Sequence, residues 1–150
     1  MRAVLQRVSE ASVAVGGREI SRIGRGFLVL IGFTRSDCDE VLQWMAQKIS
    51  SLRLFEDEAG KMNCTLEEVG GEILAVSQFT LYGDCRKGRR PSFDKSAPPE
   101  QAEMLYEKFI DILKREAPCP VAAGVFREHM HVSLVNDGPV TLMIEKEAGA

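Results

Sequence analysis

Two hydroxyls and an amide fall within four positions, Ser77, Gln78 and Thr80 around Phe79, directly after an apolar run, Ile73-Leu74-Ala75-Val76, that reads as a buried strand. A second polar string, Asn136-Asp137-Gly138-Pro139-Val140-Thr141, follows another strand-like run near the far end of the chain. Strand ends of this kind present hydrogen-bonding groups to a ligand from a rigid scaffold. Thr80 is the tempting nucleophile for an ester carbonyl, but a threonine needs a base. The only histidines are His129 and His131, and no aspartate spacing ties them to Thr80 in a triad. Ordinary positions flanking a strand explain the histidines more simply, and β-branching explains Thr80. A better account uses main chain: the N–H groups of Phe79 and Thr80, exposed where the strand ends, stabilise the oxyanion formed as an ester is attacked. Each such donor is worth about 10²–10³ in rate. Gln78 then serves as a polar positioner, and Thr80 as a secondary one.

The two strings resemble the signature segments of the D-aminoacyl-tRNA deacylases, which hydrolyse D-amino acids from tRNA, and neither string departs from that pattern. The resemblance continues through Met1-Arg2-Ala3-Val4-Leu5-Gln6-Arg7-Val8, Gly60-Lys61-Met62-Asn63 and Arg90-Pro91-Ser92-Phe93, in the expected order, and so spans nearly the whole chain. It implies an esterase without metal or cofactor, acting on D-aminoacyl-tRNA with help from a neighbouring ribose hydroxyl. It also implies a homodimer with a barrel-like sheet, in which a cis Gly138-Pro139 bond reaches into the other subunit's active site. There its carbonyl oxygens face the α-carbon, so an L side chain collides while a D side chain points away. Glycine has no side chain to reject, which makes glycyl-tRNA an expected second substrate. On sequence alone Gly138-Pro139 is a turn, since only about 5–6% of X-Pro bonds are cis. Arg7, otherwise a solvated strand charge, is implied to fix this loop.

The remaining candidates belong to the RNA end. Phe79 reads first as core and second as a wall of the pocket for the terminal adenosine. Met62 reads first as gap filler, while Lys61 and Asn63 beside it are placed to meet ribose or phosphate. Ser92 and Phe93 carry the same ambiguity, and Asn136 is a further candidate. Arg86, Lys87, Arg89, Arg90 and Lys95 cluster after the Ser77 segment against only Asp84 and Asp94. By itself such a run is a solvated loop; with the resemblance it becomes a phosphate contact. Two other readings stand beside the esterase: a non-catalytic module that binds a tRNA end, and a serine or threonine hydrolase acting covalently through Thr80 or Ser77.

Positioning these groups requires one domain, residues 1–150, with 45% hydrophobic and 27% charged residues. A net charge of −3 argues against a protein that coats nucleic acid indiscriminately, and DNA is not an expected partner. The longest apolar run, at residues 27–33, is far below the roughly 18 residues of a membrane span, and no cationic leader opens the chain, so the expected location is the cytoplasm. The four cysteines form no CxxC pair and read as free thiols. Alternation predicts strands at 2–15, 19–23 and 27–31 as an antiparallel meander with a Gly16-Gly17 turn. Apolar positions at three and four spacing predict a helix over 37–51 with Ser36 as N-cap, and another from Pro99 to about Lys114. Strands return at 72–79, 121–126, 130–135 and 140–145. The fold class is α+β: a mainly antiparallel sheet with two principal helices on one side, the other face needing polar residues or a partner.

Overall fold

The computed structural model describes residues 1–150. The long alternating segment forms β1 (Arg2–Val15), which turns through Gly16 and Gly17, at φ 59° and 77°, into β2 (Arg18–Ile23). Two positive φ angles match the twist of an antiparallel hairpin, and glycine adopts them without a Cβ clash. The third strand, β3 (Gly26–Gly32), pairs with β1 instead of β2, so there is no meander. Along one edge β1 pairs with β3 from Arg2 to Val8 and with β2 from Ala11 to Val15.

After β3 come α1 (Asp39–Ser51), a hairpin of β4 (Phe55–Glu56) with β5 (Met62–Cys64), and a single helical turn, α2 (Leu66–Val69). Then follow β6 (Glu72–Ser77), a 3₁₀ turn (Phe79–Tyr82), α3 (Pro99–Glu116), β7 (Val121–Ala123) and β8 (His131–Glu145). The hairpin and α2 are additions to the predicted elements. The two predicted strands at 130–135 and 140–145 are one strand, running antiparallel along the other edge of β1. By contrast, β3 with β6 and β6 with β7 are parallel pairs, which makes the sheet mixed. Nearly every side chain of β3 and β6 is buried, as parallel strands covered on both faces require.

Strand parity sorts that burial into two cores. Phe27, Val29, Ile31, Ile73 and Ala75 face α1 and α3 in a cluster of 24 buried apolar residues. Leu28, Leu74 and Val76 face the other way and meet Val8, Ala11, Val13 and Ile23 in a second cluster of 7. The second face is therefore covered by the sheet itself, which curls into a nearly closed barrel. Ser21 of β2 donates to the Ala123 carbonyl of β7 at 2.6 Å across the closing seam. Burying one large apolar side chain contributes about 1.5–3 kcal/mol.

The helices follow their apolar stripes, Val41, Leu42, Met45 and Ile49 on α1 and Tyr106, Phe109, Ile110 and Leu113 on α3. Pro99 opens α3 as predicted, whereas α1 begins at Asp39 with Cys38 in the cap position, not Ser36. Asp37 explains the delay. Its carboxylate turns inward to accept the Met1 ammonium at 2.6 Å and the Thr34 amide at 2.9 Å, which holds residues 34–37 in a turn. The Tyr106 hydroxyl donates to Gly124 at 2.9 Å, and burial pushes its pKa up to about 12. No helix is long and apolar enough to cross a membrane.

Candidate active site

The end of β6 is where regular pairing gives way. Gln78 N–H donates to Ile31 at 2.6 Å, one step past the last β3–β6 pair. The chain then bends: Leu81 N–H donates to Gln78 at 3.2 Å and Gly83 N–H to Thr80 at 2.9 Å. The strand therefore stops at Ser77, two residues before its predicted end at Phe79. In such a turn the first donors precede any acceptor, so the turn itself leaves the N–H groups of Phe79 and Thr80 unengaged.

Phe79 is 55% exposed, which corrects its assignment to the core. Its ring meets Phe93 edge-on at 5.1 Å, and its carbonyl accepts from Ser96 Oγ at 3.0 Å. The Gln78 side-chain amide donates to Thr80 Oγ1, and no histidine or carboxylate accepts that hydroxyl's proton. Ser77, Gln78 and Phe79 line a cleft of about 790 Å³, within the size range of small-molecule sites. Phe126, Arg127, His129 and Met130 from the distant segment after β7 also line it, as do Arg35 and Pro98. Sequence reasoning set His129 aside as a strand-flanking residue and did not single out Phe126, Arg127 or Met130. Arg127 is the only non-glycine residue with a left-handed φ, at 67°, a strain that concentrates at functional sites. His129 stands edge-on to His131 at 5.1 Å, both exposed.

The second string forms a bulge in β8. Gln6 pairs with Thr141 and Val8 with Asn136, so residues 137–140 loop out opposite the single residue Arg7. Asn136 closes the loop from within. Its side-chain carbonyl accepts from Val140 N–H at 2.8 Å, and its amide donates to Val140 O, Thr141 Oγ1 and Gln6 Oε1. That role occupies the side chain proposed for substrate contact. Arg7, only 6% exposed, is no solvated charge. Its Nε donates to the Asp137 carbonyl at 2.8 Å and its Nη1 to the Leu54 carbonyl at 2.7 Å. The Gly138-Pro139 bond is cis, and both residues are exposed. Gly138 sits at φ 147°, where an added Cβ would lie 2.8 Å from Val140 N and 3.2 Å from Arg7 Nη2.

Within one chain the loop and the cleft are apart. Arg7 pairs with Phe27, whereas Gln78 lies against Ile31, four residues or about 13 Å farther along β3. No residue of 136–141 lines the cleft.

The RNA-end candidates divide. Lys61, Met62 and Asn63 lie at the β4–β5 hairpin outside the cleft, and Met62 is 51% exposed instead of filling the core. Asn63 accepts from Arg53 at 3.2 Å and 3.3 Å. Ser92 closes the basic loop by exchanging main-chain bonds with Asp84 at 2.8 and 2.9 Å, while Phe93 reaches the cleft. Arg86 is bound to Asp84 at 2.8 Å and holds that carboxyl below the usual carboxylate range. Lys87, Arg89 and Arg90 are exposed and outside the ion pairs.

Comparison with known proteins gives a consistent picture. Residues 4–145 match the family described as D-Tyr-tRNA(Tyr) deacylase. The chain is 54% identical over 145 residues to a D-aminoacyl-tRNA deacylase of Thermotoga petrophila, covering 97% of each. It is 58% identical to one of Chloroherpeton thalassium, covering 97% of this chain and 95% of that one. Among solved structures it is similar to one named c-Myc DNA Unwinding Element Binding Protein, with TM-score 0.92 and 45% identity over 99% of this chain and 100% of that one. A probable eukaryotic D-amino acid tRNA deacylase shares the fold, with TM-score 0.81 at 23% identity over 95% and 97% of the two chains.

Proposed function

The chain belongs to the D-Tyr-tRNA(Tyr) deacylase family, and from that membership we propose how it works as a hydrolase of the ester between a D-amino acid and tRNA. The observation that carries the reading is the Phe79–Tyr82 turn, which begins with Phe79 in the lining of the cleft and leaves its two leading amides without an acceptor inside the turn. The terminal adenosine enters the cleft between Phe79 and Phe126. The ester carbonyl then lies against the Phe79 and Thr80 N–H groups. Water, positioned by the free ribose hydroxyl, adds to the carbonyl carbon. The oxyanion is held by the two amides, the ester C–O bond breaks, and the water's proton goes to the departing ribose oxygen. Free tRNA and a D-amino acid result.

Thr80 fits positioning better than covalent attack, because its oxygen accepts from Gln78 and no base takes its proton. Chiral selection is assigned to Gly138-Pro139 of a second copy, since each chain holds its own loop away from its own cleft. Arg7 clamps the carbonyl just before Gly138, which suits a rigid filter. Main-chain carbonyls there accept from the α-ammonium and leave no room for an L side chain, so D-residues and glycine pass. The second copy has a surface to meet: β8 pairs only with β1, and Val135, Leu142 and Met143 on it are exposed. The protein acts on charged tRNA in the cytoplasm.

The alternative is a module that grips nucleic acid without turnover, favoured by the exposed Lys87, Arg89 and Arg90. Incubating catalytic amounts of protein with D-tyrosyl-, L-tyrosyl- and glycyl-tRNA, with and without EDTA, decides between them. Turnover of the D and glycyl esters with L spared is expected, whereas binding of all three without hydrolysis would favour the module.

A further inference from the structure

We infer that Ser96 is a positioning residue for this hydrolysis: its hydroxyl orients the Phe79–Thr80 peptide and thereby aims the Thr80 N–H at the developing oxyanion. The inference rests on the backbone oxyanion reading above. A peptide unit is planar, with its C=O and N–H on opposite sides. The Phe79 carbonyl and the Thr80 N–H belong to one such unit, so whatever fixes the carbonyl fixes the amide. Ser96, itself only 8% exposed, donates from Oγ to that carbonyl at 3.0 Å, while Thr80 is exposed. The bond therefore turns the N–H away from Ser96. It also polarises the peptide, because a hydrogen bond at the carbonyl strengthens the donor at the other end.

Ser96 is itself held on three sides. Its own N–H donates to Phe93 at 3.0 Å, the neighbouring Ala97 N–H donates to Phe33 at 2.9 Å, and Thr34 Oγ1 donates to Lys95 at 2.8 Å. These bonds tie the residue to the end of β3, the same strand end that holds Gln78. The aiming group and the group it aims thus share one rigid frame, as preorganised catalysis requires. Nothing in the sequence marks this serine, which is separated from Thr80 by the whole basic loop.

The test compares single-turnover hydrolysis of D-tyrosyl-tRNA by the wild type, Ser96→Ala, Ser96→Thr and Ser96→Cys, with thermal melts confirming folding. Removing an oxyanion donor costs about 10²–10³, so loosening one should cost about tenfold in the chemical step. Ser96→Ala is expected to lose that factor with its KM for aminoacyl-tRNA unchanged, Ser96→Cys to lose nearly as much, and Ser96→Thr to recover. In the amide spectrum the Thr80 N–H resonance should shift in Ser96→Ala and return in Ser96→Thr. Wild-type chemistry in folded Ser96→Ala or Ser96→Cys would overturn the inference alone, as would a loss that appears only in KM. A wild type with no hydrolysis would overturn the deacylase reading and this inference together.

Discussion

Replacing Gly138 by alanine probes the loop proposed to select stereochemistry where its backbone is least forgiving. At φ 147° an L-residue is strained, and its Cβ would stand 2.8 Å from Val140 N and from Val140 Cγ2, well inside ordinary contact. The backbone strain is about 1–3 kcal/mol. For a domain of this length that corresponds to a fall in Tm of roughly 3–10 °C. Relief requires the loop to move by more than half an ångström, and Arg7 resists, because its Nη2 is 3.2 Å from the same Cβ. A 1 Å misplacement can cost as much as about 10²-fold in a positioned site. The ratio of L- to D-tyrosyl-tRNA hydrolysis should therefore rise by about tenfold, read from initial rates with enzyme at catalytic concentration and melts run alongside. A folded Gly138→Ala with the wild-type ratio would refute the assignment of stereochemical selection to this loop.

Three further outcomes are expected. Thr80→Val should retain turnover within about tenfold of wild type, since losing a nucleophile costs 10⁴ or more in triad hydrolases; a fall on that larger scale would restore covalent attack. Neutralising Lys87, Arg89 or Arg90 one at a time should raise KM without changing kcat and reduce the log–log salt slope of tRNA binding by roughly 0.7 per lost phosphate contact, so an unchanged slope would remove the loop from the RNA path. Alkali should destabilise the fold between pH 10 and about 12 through Tyr106, because its folded pKa is raised from 10 by burial: the phenol is neutral in both states below that window, and only the unfolded chain ionises freely within it. The contribution is about 2–3 kcal/mol at saturation. Tyr82, raised for the same reason, acts in the same direction, so the difference between Tyr106→Phe and wild type across denaturant melts isolates Tyr106.

The strands and long helices were legible because their signals are local. Approximate alternation pointed to β1, and the Pro98-Pro99 pair with three-and-four spacing pointed to α3. The α2 turn was missed although it carries a local signal, a Thr65–Glu68 capping box: Thr65 Oγ1 accepts from Glu68 N–H and the Glu68 carboxylate from Thr65 N–H. Phe79 was misplaced because an aromatic that follows an apolar run after two intervening residues reads as the strand's continuation, whereas the chain bends one residue earlier, at Gln78. The exchange of partners along β1 had no local signal, since a strand's own pattern gives its burial but not which neighbour it pairs with: polar β2 and apolar β3 take successive halves of the same edge. Arg127 and His129 share the cleft lining with Gln78 only because the segment between β7 and β8, distant in sequence, is brought to it by the fold. Asp37 showed its role only once the fold placed the chain's first residue beside it.

The order of synthesis gives the β1–β8 pairing a further meaning. Arg2 lies opposite Glu145 and Gln6 opposite Thr141, so the first strand made waits for the last. At about 5–20 residues per second, β1 stands for several seconds with one edge open before its partner exists. The bulge opposite Arg7 can form only in that final pairing. A nascent chain therefore carries β3, β6 and the turn that follows before its Gly138-Pro139 loop has been made, so the role proposed for that loop would be the last to be assembled.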